Sequence, residues 1–297
     1  MSSFSDRLAQ LVEKRGTPVL VGLDPRWERL PQDFIRDIES GDPVAQAIAV
    51  QRFCHGVIDV VAPLVAAVKP QLAFFEQLGP AGMQALADVI RYAHQQGLLV
   101  ILDGKRNDIG STAAGYADAY LGATSAWGGD ALTVSPYLGE DSLQPFVDVA
   151  VQRDAGIFVL VKTSNPGGGD FQDLVADGET VYRRVAHRVE ALAAKTASDC
   201  GYGAVGAVVG ATYPEQLAEL RKLMPHAWLL VPGFGAQGAA AADVVDAFDE
   251  KGLGAVINAS RSIIFAHNRP EFRDRFRHDQ WQQAVELATR EMIEQLS

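Results

Sequence analysis

The sequence has few of the features that mark several common protein classes. Only two of its 297 residues are cysteines, Cys54 and Cys200. This predicts reduced thiols rather than a disulfide framework, and neither cysteine has the spacing of a metal ligand. No Ser-His-Asp arrangement or paired-histidine motif is visible. The sequence therefore shows no residue set for nucleophilic or metal-assisted catalysis.

Long hydrophobic runs and a basic stripe are also missing. The longest apolar run, over residues 57–68, is interrupted by Asp59 and Pro63 and is far shorter than the ~20 residues of a membrane span. The N-terminus lacks the apolar core of a signal peptide, so we expect a cytoplasmic protein without a membrane partner. The net charge of −11 argues against nucleic acid as a partner. A small anionic substrate remains possible if a few cations converge in one cleft.

What the sequence does contain is a series of short apolar runs that alternate with helical segments. The runs begin at Thr17, Leu64, Gly97, Asp130, Gly156, Val205, Trp228 and Gly254. None is joined to its neighbour by a tight Asn-Gly or Asp-Gly hairpin, which indicates parallel strands connected by crossover helices. Eight such units within roughly 250 residues favour a closed (β/α)8 TIM barrel of the α/β class over an open sheet. Because no linker or repeat divides the chain, we expect a single domain over residues 1–297.

Helical spacing of apolar residues fills the intervals between these runs. It predicts helices over residues 4–14, 43–57, 79–95, 111–120, 181–197 and 280–295. Ser5 is placed to cap the first of these helices, which we interpret as a lid over one end of the fold. The active site of such a barrel lies at the carboxyl ends of its strands, so the residues that end each run are the candidates.

The run that begins at Gly97 ends in the sequence Leu-Asp-Gly-Lys-Arg-Asn-Asp. Alternation along an extended strand places Asp103 and Lys105 on the same side, where both can point inward at the strand's mouth. Asp108 is too distant to join them unless the chain turns back or a second subunit supplies it. One interpretation is a solvated ion pair worth less than about 1 kcal/mol. The other is a pre-organised charge array that keeps Lys105 protonated as a general acid.

Other run ends carry polar residues that a core does not need. They are Asp24, Lys69, Ser164 and Arg261, together with a glycine-rich segment over residues 233–238. The ends of the first three runs thus carry two acidic groups, Asp24 and Asp103, and two basic groups, Lys69 and Lys105. This is more charge than packing requires. Ser164 either bonds a polar ligand edge or belongs to a plain turn. Thr112 opens a helix, and taken alone it is best explained as a cap.

The glycine-rich segment and Arg261 follow the seventh and eighth runs. Glycines allow backbone N–H groups to approach an anion closely, and an arginine binds phosphate in a forked geometry. A glycine-rich turn alone is more often only a turn. Because barrels often bind phosphate at these two loops, the combination favours a phosphate site.

These motifs, in this order, resemble the orotidine 5'-phosphate decarboxylase family, and in particular its longer bacterial members. They are Gly-Leu-Asp-Pro at 22–25, Val-Lys-Pro at 68–70, Asp-Gly-Lys-Arg-Asn-Asp-Ile-Gly-Ser-Thr at 103–112, Thr-Ser-Asn-Pro-Gly at 163–167, Pro-Gly-Phe-Gly-Ala-Gln-Gly at 232–238 and Ser-Arg at 260–261. The resemblance covers nearly the whole chain. It implies decarboxylation of orotidine 5'-phosphate to UMP, without metal or organic cofactor, by a barrel homodimer.

The resemblance also implies a role for each matching residue. Lys69, Asp103 and Lys105 would form a charge network with Asp108 of a second subunit, and Lys105 would protonate the ring carbanion. The implied substrate-binding residues are Asp24 for the ribose hydroxyls, Thr112 across the subunit interface, Ser164 for the pyrimidine, and Gln237 and Arg261 for the phosphate, with Gly235 in the same loop.

Two alternatives remain open. A Mg²⁺-dependent sugar-phosphate decarboxylase or aldolase of the same superfamily resembles the chain at D-x-K-x-x-D, but it carries an acidic residue where this chain has Lys69. A lysine there would repel the metal. The other alternative is a non-catalytic barrel that binds a phosphate ligand, which would not need an acid with supporting carboxylates.

Overall fold

The computed structural model describes residues 2–38, 41–234, 240–273 and 275–297. Its strands are β1 (Val19–Leu23), β2 (Ala67–Pro70), β3 (Leu99–Arg106), β4 (Ala131–Val134), β5 (Gly156–Lys162), β6 (Val175–Ala176), β7 (Glu179–Thr180), β8 (Val205–Val209), β9 (Leu229–Pro232) and β10 (Ala255–Ala259). Its α-helices are α1 (Phe4–Arg15), α2 (Gln32–Ile35), α3 (Pro43–Val61), α4 (Ala73–Glu76), α5 (Gly79–Gln95), α6 (Gly110–Tyr120), α7 (Glu140–Gln152), α8 (Gly169–Gln172), α9 (Val181–Lys195), α10 (Pro214–Leu223), α11 (Arg261–Ile264), α12 (Pro270–Arg273) and α13 (Trp281–Gln295). Short 3-10 helices cover Trp27–Arg29, Pro166–Gly168, Ala241–Asp243, Val245–Ala247, Ala266–Asn268 and His278–Gln280.

Eight strands form a closed barrel in the hydrogen-bonded order β1-β10-β9-β8-β5-β4-β3-β2. The registers that link neighbouring strands are parallel, and helices alternate with these strands along the chain. The prediction of a (β/α)8 barrel is therefore confirmed. The two remaining strands, β6 and β7, form a separate antiparallel hairpin. Every apolar run predicted as a strand contains one barrel strand, because such runs are buried on both faces in a parallel sheet.

The chain divides into two compact units. Unit 1 comprises Met1–Lys14 and Gly104–Asn258, and unit 2 comprises Arg15–Asp103 and Ala259–Ser297. In unit 1, α1 packs on the start of β5. The rings of Phe4 and Phe158 meet edge to face at 6.0 Å. A side chain at Gly156 would lie 2.3 Å from the Phe4 ring, so the glycine allows this close approach.

The predicted capping role of Ser5 is wrong. Its hydroxyl donates to the carbonyl of Gly203 over 2.6 Å, so it fastens α1 to the segment before β8. The hydroxyl of Ser3 instead accepts a hydrogen bond from the amide of Asp6 over 3.1 Å, which is the bond of an N-cap residue.

In unit 2, α3 packs against α5 and α13. The Phe53 ring of α3 stacks on Phe265 at 5.6 Å and lies 5.2 Å from the Trp281 ring. By length and composition α3 could cross a membrane, and among the described residues it is the one helix that meets this criterion. In this structure its apolar face is buried against the neighbouring helices of unit 2. The helix runs to Val61, four residues beyond its predicted end at residue 57.

Candidate active site

The carboxyl ends of β1, β2 and β3 carry three predicted site residues in unit 2. β1 pairs with β2 so that Gly22 lies opposite Lys69. A backbone bridge between Gln71 and Asp103 continues the pairing beyond β2, although Pro70 ends the regular strand. Asp24 follows β1 directly. Parallel pairing in this register brings Asp24, Lys69 and Asp103 to one edge of the sheet.

Lys69 and Asp103 form a buried ion pair. The Nζ of Lys69 donates to Oδ2 of Asp103 over 2.7 Å, and the two residues are only 4% and 7% exposed. Gln71, which the sequence analysis missed, donates from Nε2 to the same oxygen over 2.9 Å. A carboxylate bound from two sides keeps a fixed orientation. A solvated surface pair is therefore excluded for these two residues.

The surrounding carboxylates control the protonation of Lys69. Burial by itself lowers the pKa of this lysine, but the charges of Asp103 and Asp24 and the hydrogen bond to Asp103 outweigh it. The net pKa is raised above its ordinary value of 10.5. Lys69 is therefore a permanent cation at neutral pH, held between two anions.

Asp24 has an acceptor atom that the described residues leave unused. Its Oδ1 is buried and has no hydrogen-bond partner within the described ranges. The pKa of the Cys54 thiol is raised, first by burial and then by the negative charge of Asp24. An unpaired buried oxygen is costly in a folded protein. At the end of a barrel strand, this atom is suited to accept a hydrogen bond from a ligand hydroxyl.

Lys105 is the penultimate residue of β3 and belongs to unit 1. Its φ is +45°, a left-handed conformation that non-glycine residues rarely adopt. Its side chain is exposed in the single chain, whereas Asp103 is buried. The alternation that predicted a shared inward direction therefore does not extend to Lys105, because it requires extended backbone throughout. Rare backbone conformations of this kind cluster at functional positions.

Asp108 and Thr112 follow β3 in unit 1. The amide of Ile109 donates to Oδ1 of Asp108 over 2.8 Å. Ile109 precedes the first turn of α6, and no side chain makes a capping hydrogen bond there. The interpretation of Thr112 as a helix cap was therefore wrong. Thr112 is exposed on the first turn of α6.

Ser164 follows β5 within a hydrogen-bonded frame. The amide of Thr163 donates to Oε1 of Gln172 over 3.0 Å, and Nε2 of Gln172 donates back to the Thr163 hydroxyl over 2.8 Å. Ser164 packs against Gly210, where an added Cβ would lie 2.8 Å from the Cβ of Ser164. The chain then enters the 3-10 helix Pro166–Gly168. Ser164 is thus half-buried at a strand end in an ordered loop rather than in a plain turn.

Lys162, the last residue of β5, is a second buried cation that the sequence analysis missed. It is 2% exposed, and its Nζ lies 2.5 Å from Oδ1 of Asp173. The same atom lies 5.4 Å and 5.5 Å from the ring centroids of Tyr182 and Tyr213. The contact with Asp173 ties the end of β5 to the loop that follows Ser164. The signal was a lysine at the end of an otherwise apolar run.

The predicted phosphate residues are only partly described. Gly235 and Gln237 lie outside the described residues. Gly233 has a φ of +98°, which favours glycine. Arg261 begins α11, one residue after the end of β10, and is half-buried. In the described part of the chain, no group of three or more His, Cys, Asp or Glu side chains is placed to hold a metal ion.

The chain is similar to known proteins over its full length. Residues 17–273 match the family model described as "Orotidine 5'-phosphate decarboxylase / HUMPS family". An orotidine 5'-phosphate decarboxylase from Rhodopirellula baltica is 58% identical over 300 residues, which cover 100% of this chain and 99% of that protein. An orotidine 5'-phosphate decarboxylase from Deinococcus radiodurans is 47% identical, over 89% of this chain and 90% of that protein.

Solved structures agree with these matches. The structure of Leishmania donovani OMP decarboxylase superposes with a TM-score of 0.76 at 35% identity, over 99% of this chain and 97% of the other. A match over more than half of the chain, together with relatives well above 30% identity, establishes the family. The chain therefore belongs to the orotidine 5'-phosphate decarboxylase / HUMPS family.

Proposed function

We propose that this chain decarboxylates orotidine 5'-phosphate to UMP in pyrimidine biosynthesis, as a carboxy-lyase that uses Lys105 as its general acid. The structural observation that supports this most directly is the buried Lys69–Asp103 pair beside Asp24. It fixes a carboxylate only two residues before Lys105 on the same strand. The 58% identity to a protein named as this decarboxylase supports the choice of reaction.

The proposed chemistry needs a cation where negative charge develops. The bond between the ring carbon and the carboxylate breaks, CO2 departs, and the electron pair stays on that ring carbon. The Lys105 ammonium stabilises this charge and donates a proton to the carbon, which leaves a neutral amine that solvent reprotonates. The Asp103 carboxylate, oriented by Lys69 and Gln71, opposes the substrate carboxylate and is relieved when CO2 leaves.

The remaining site residues bind the unreactive parts of the substrate. The buried Oδ1 of Asp24 accepts a hydrogen bond from a ribose hydroxyl, which accounts for its lack of a partner among the described residues. Ser164 bonds the pyrimidine edge. Arg261, with Gly235 and Gln237, binds the phosphate. Phosphate binding supplies energy that is used to align the reacting carbon.

We further propose a cytoplasmic homodimer, with one domain per chain, in which Asp108 and Thr112 complete the partner's site. Exposed apolar side chains near the carboxyl ends of β3 and β4 support this proposal. Ile109 is 57% exposed and Tyr137, after β4, is 80% exposed. If these side chains belong to one apolar patch, that patch is suited to bind protein. The exposed Thr112 lies on the same segment as Ile109.

The Mg²⁺-dependent alternative is disfavoured by the state of Lys69. This residue is buried, and its pKa is raised, so a positive charge occupies the strand end where that class of enzyme would need an acidic metal ligand. A non-catalytic phosphate-binding barrel is disfavoured because it would not require the buried charge network.

The experiment that tests the proposal follows the absorbance of orotidine 5'-phosphate in buffer with excess chelator. We expect complete conversion to UMP by the wild-type protein, and no turnover by Lys105→Ala despite retained UMP binding, since the lost stabilisation belongs to the transition state. Loss of wild-type activity on addition of chelator would favour the Mg²⁺ alternative. Near-normal turnover by Lys105→Ala would refute the role of Lys105.

A further inference from the structure

The peptide group that joins Gly104 to Lys105 is held by side chains at both of its polar atoms. Its N–H, which belongs to Lys105, donates to the hydroxyl of Thr133 over 2.9 Å. Its carbonyl, which belongs to Gly104, accepts a hydrogen bond from Nη1 of Arg106 over 3.1 Å. The peptide groups of a strand normally form hydrogen bonds with the backbone of the neighbouring strand. Two side-chain hydrogen bonds to one peptide group are therefore a specific feature of this position.

These two hydrogen bonds hold the peptide group that directly precedes the Cα atom of Lys105, a residue with a rare backbone conformation. The φ of Lys105 is +45°, which costs a non-glycine residue about 1–2 kcal/mol. One residue later, the carbonyl of Arg106 accepts a backbone hydrogen bond from the amide of Ser135, just after β4, over 3.0 Å.

Both holding side chains are themselves fixed. Thr133 lies in β4 and is 1% exposed. Arg106 donates from Nη2 to the hydroxyl of Tyr120 over 3.0 Å, and its guanidinium lies 5.2 Å from the Tyr120 ring centroid and 5.7 Å from that of Tyr116. Both tyrosines belong to α6. The peptide is therefore held between β4 on one side and α6, through Arg106, on the other.

We propose that Thr133 and Arg106 are positioning residues that impose the left-handed conformation of Lys105 and thereby aim its ammonium. The inference rests on the proposed role of Lys105 as general acid. Neither residue needs to touch substrate. Because φ sets the direction of the side chain, a change in the backbone conformation of Lys105 would move its ammonium relative to the substrate. Misplacement by about 1 Å can cost about 10²-fold in rate.

The test compares Thr133→Val, which keeps shape but removes the hydroxyl, with Thr133→Ser, which keeps the hydroxyl. We expect Thr133→Val to lower kcat by about 10- to 100-fold with KM and UMP affinity little changed, and Thr133→Ser to restore most of kcat. The matched control is Thr289→Val, because Thr289 is also fully buried and its hydroxyl also bonds a backbone group, the carbonyl of Val285. That control should lose stability without a selective loss of kcat.

A second variant keeps the proposal testable if Thr133→Val folds poorly. Arg106 is half-buried, so Arg106→Met should fold, and we expect about a tenfold lower kcat at unchanged KM. Wild-type kcat in both Thr133→Val and Arg106→Met, with Lys105→Ala inactive, would overturn the positioning role alone. Activity in Lys105→Ala would instead overturn the function on which it rests.

Discussion

The ammonium of Lys69 lies 2.7 Å from the carboxylate of Asp103, and neither side chain is more than one-tenth exposed. Removal of one member leaves the other charge buried without its partner, and such a loss costs about 3–5 kcal/mol. We therefore predict that Lys69→Met lowers the free energy of unfolding by about this amount, as measured by urea denaturation. The double variant Lys69→Met/Asp103→Leu should recover much of the stability and none of the activity.

The control for this prediction is an exposed pair of the same charges. Asp33 and Arg36 form an ion pair in which both side chains are more than half exposed. Asp33→Ala should change the free energy of unfolding by no more than about 0.5 kcal/mol. A similar small effect for Lys69→Met would show that the buried pair is not a structural requirement.

The raised pKa of Lys69 predicts how this contribution depends on pH. A lysine with a raised folded pKa contributes stability that is fully present below its unfolded pKa of about 10.5 and is lost as the pH rises through the folded value. The stability difference between wild type and Lys69→Met should stay constant from about pH 6 to pH 10 and shrink only at higher pH. Urea denaturation across this range measures it. A difference that already shrinks between pH 7 and pH 9 contradicts the raised pKa.

Local sequence signals predicted the eight barrel strands and several of the helices. The predicted helix over residues 79–95 matches α5 in both bounds, because a glycine and a proline open it and Gly97 follows its end. α7 was missed, and it contains Pro145, which usually ends a helical pattern. The eight barrel strands were recognisable because apolar runs in a parallel sheet are buried on both faces.

The candidate site was predictable only as a set of residue types. Asp24, Lys69 and Asp103 could be identified because strand ends in a barrel converge. The bond from Gln71 to Asp103 spans 32 positions and depends on strand register, which no local pattern reveals. The left-handed φ of Lys105 was also hidden, since it depends on side-chain contacts from β4 and α6.

The proposed shared site predicts complementation between two inactive variants. Lys105→Ala and Asp108→Ala should each be nearly inactive as purified homodimers. After mixing and subunit exchange, one of the two sites in each mixed dimer contains both native residues. We expect recovery of up to about a quarter of the wild-type activity for equal mixing, with the turnover of orotidine 5'-phosphate as the measurement. Exchange without any rescue contradicts a site that draws on both chains.

The contact between Lys162 and Asp173 predicts an effect on substrate binding through Ser164. Asp173→Asn keeps the shape of the side chain but removes the negative charge that faces the buried Lys162 and anchors the loop after β5, and a buried charge left without its partner costs up to about 3–5 kcal/mol of stability.

We expect Asp173→Asn to raise KM several-fold, because the loop that holds Ser164 is loosened, while Asp177→Asn should leave KM unchanged. The latter is the matched control, since Asp177 pairs with Arg184 at an exposed position of the same loop. If Asp173 acts through Ser164, its substitution should have little further effect on KM in a Ser164→Ala background, because the effects of coupled residues are not additive. If Asp173→Asn raises KM by the same factor in the wild-type and Ser164→Ala backgrounds, the Lys162–Asp173 pair does not act through recognition of the pyrimidine by Ser164.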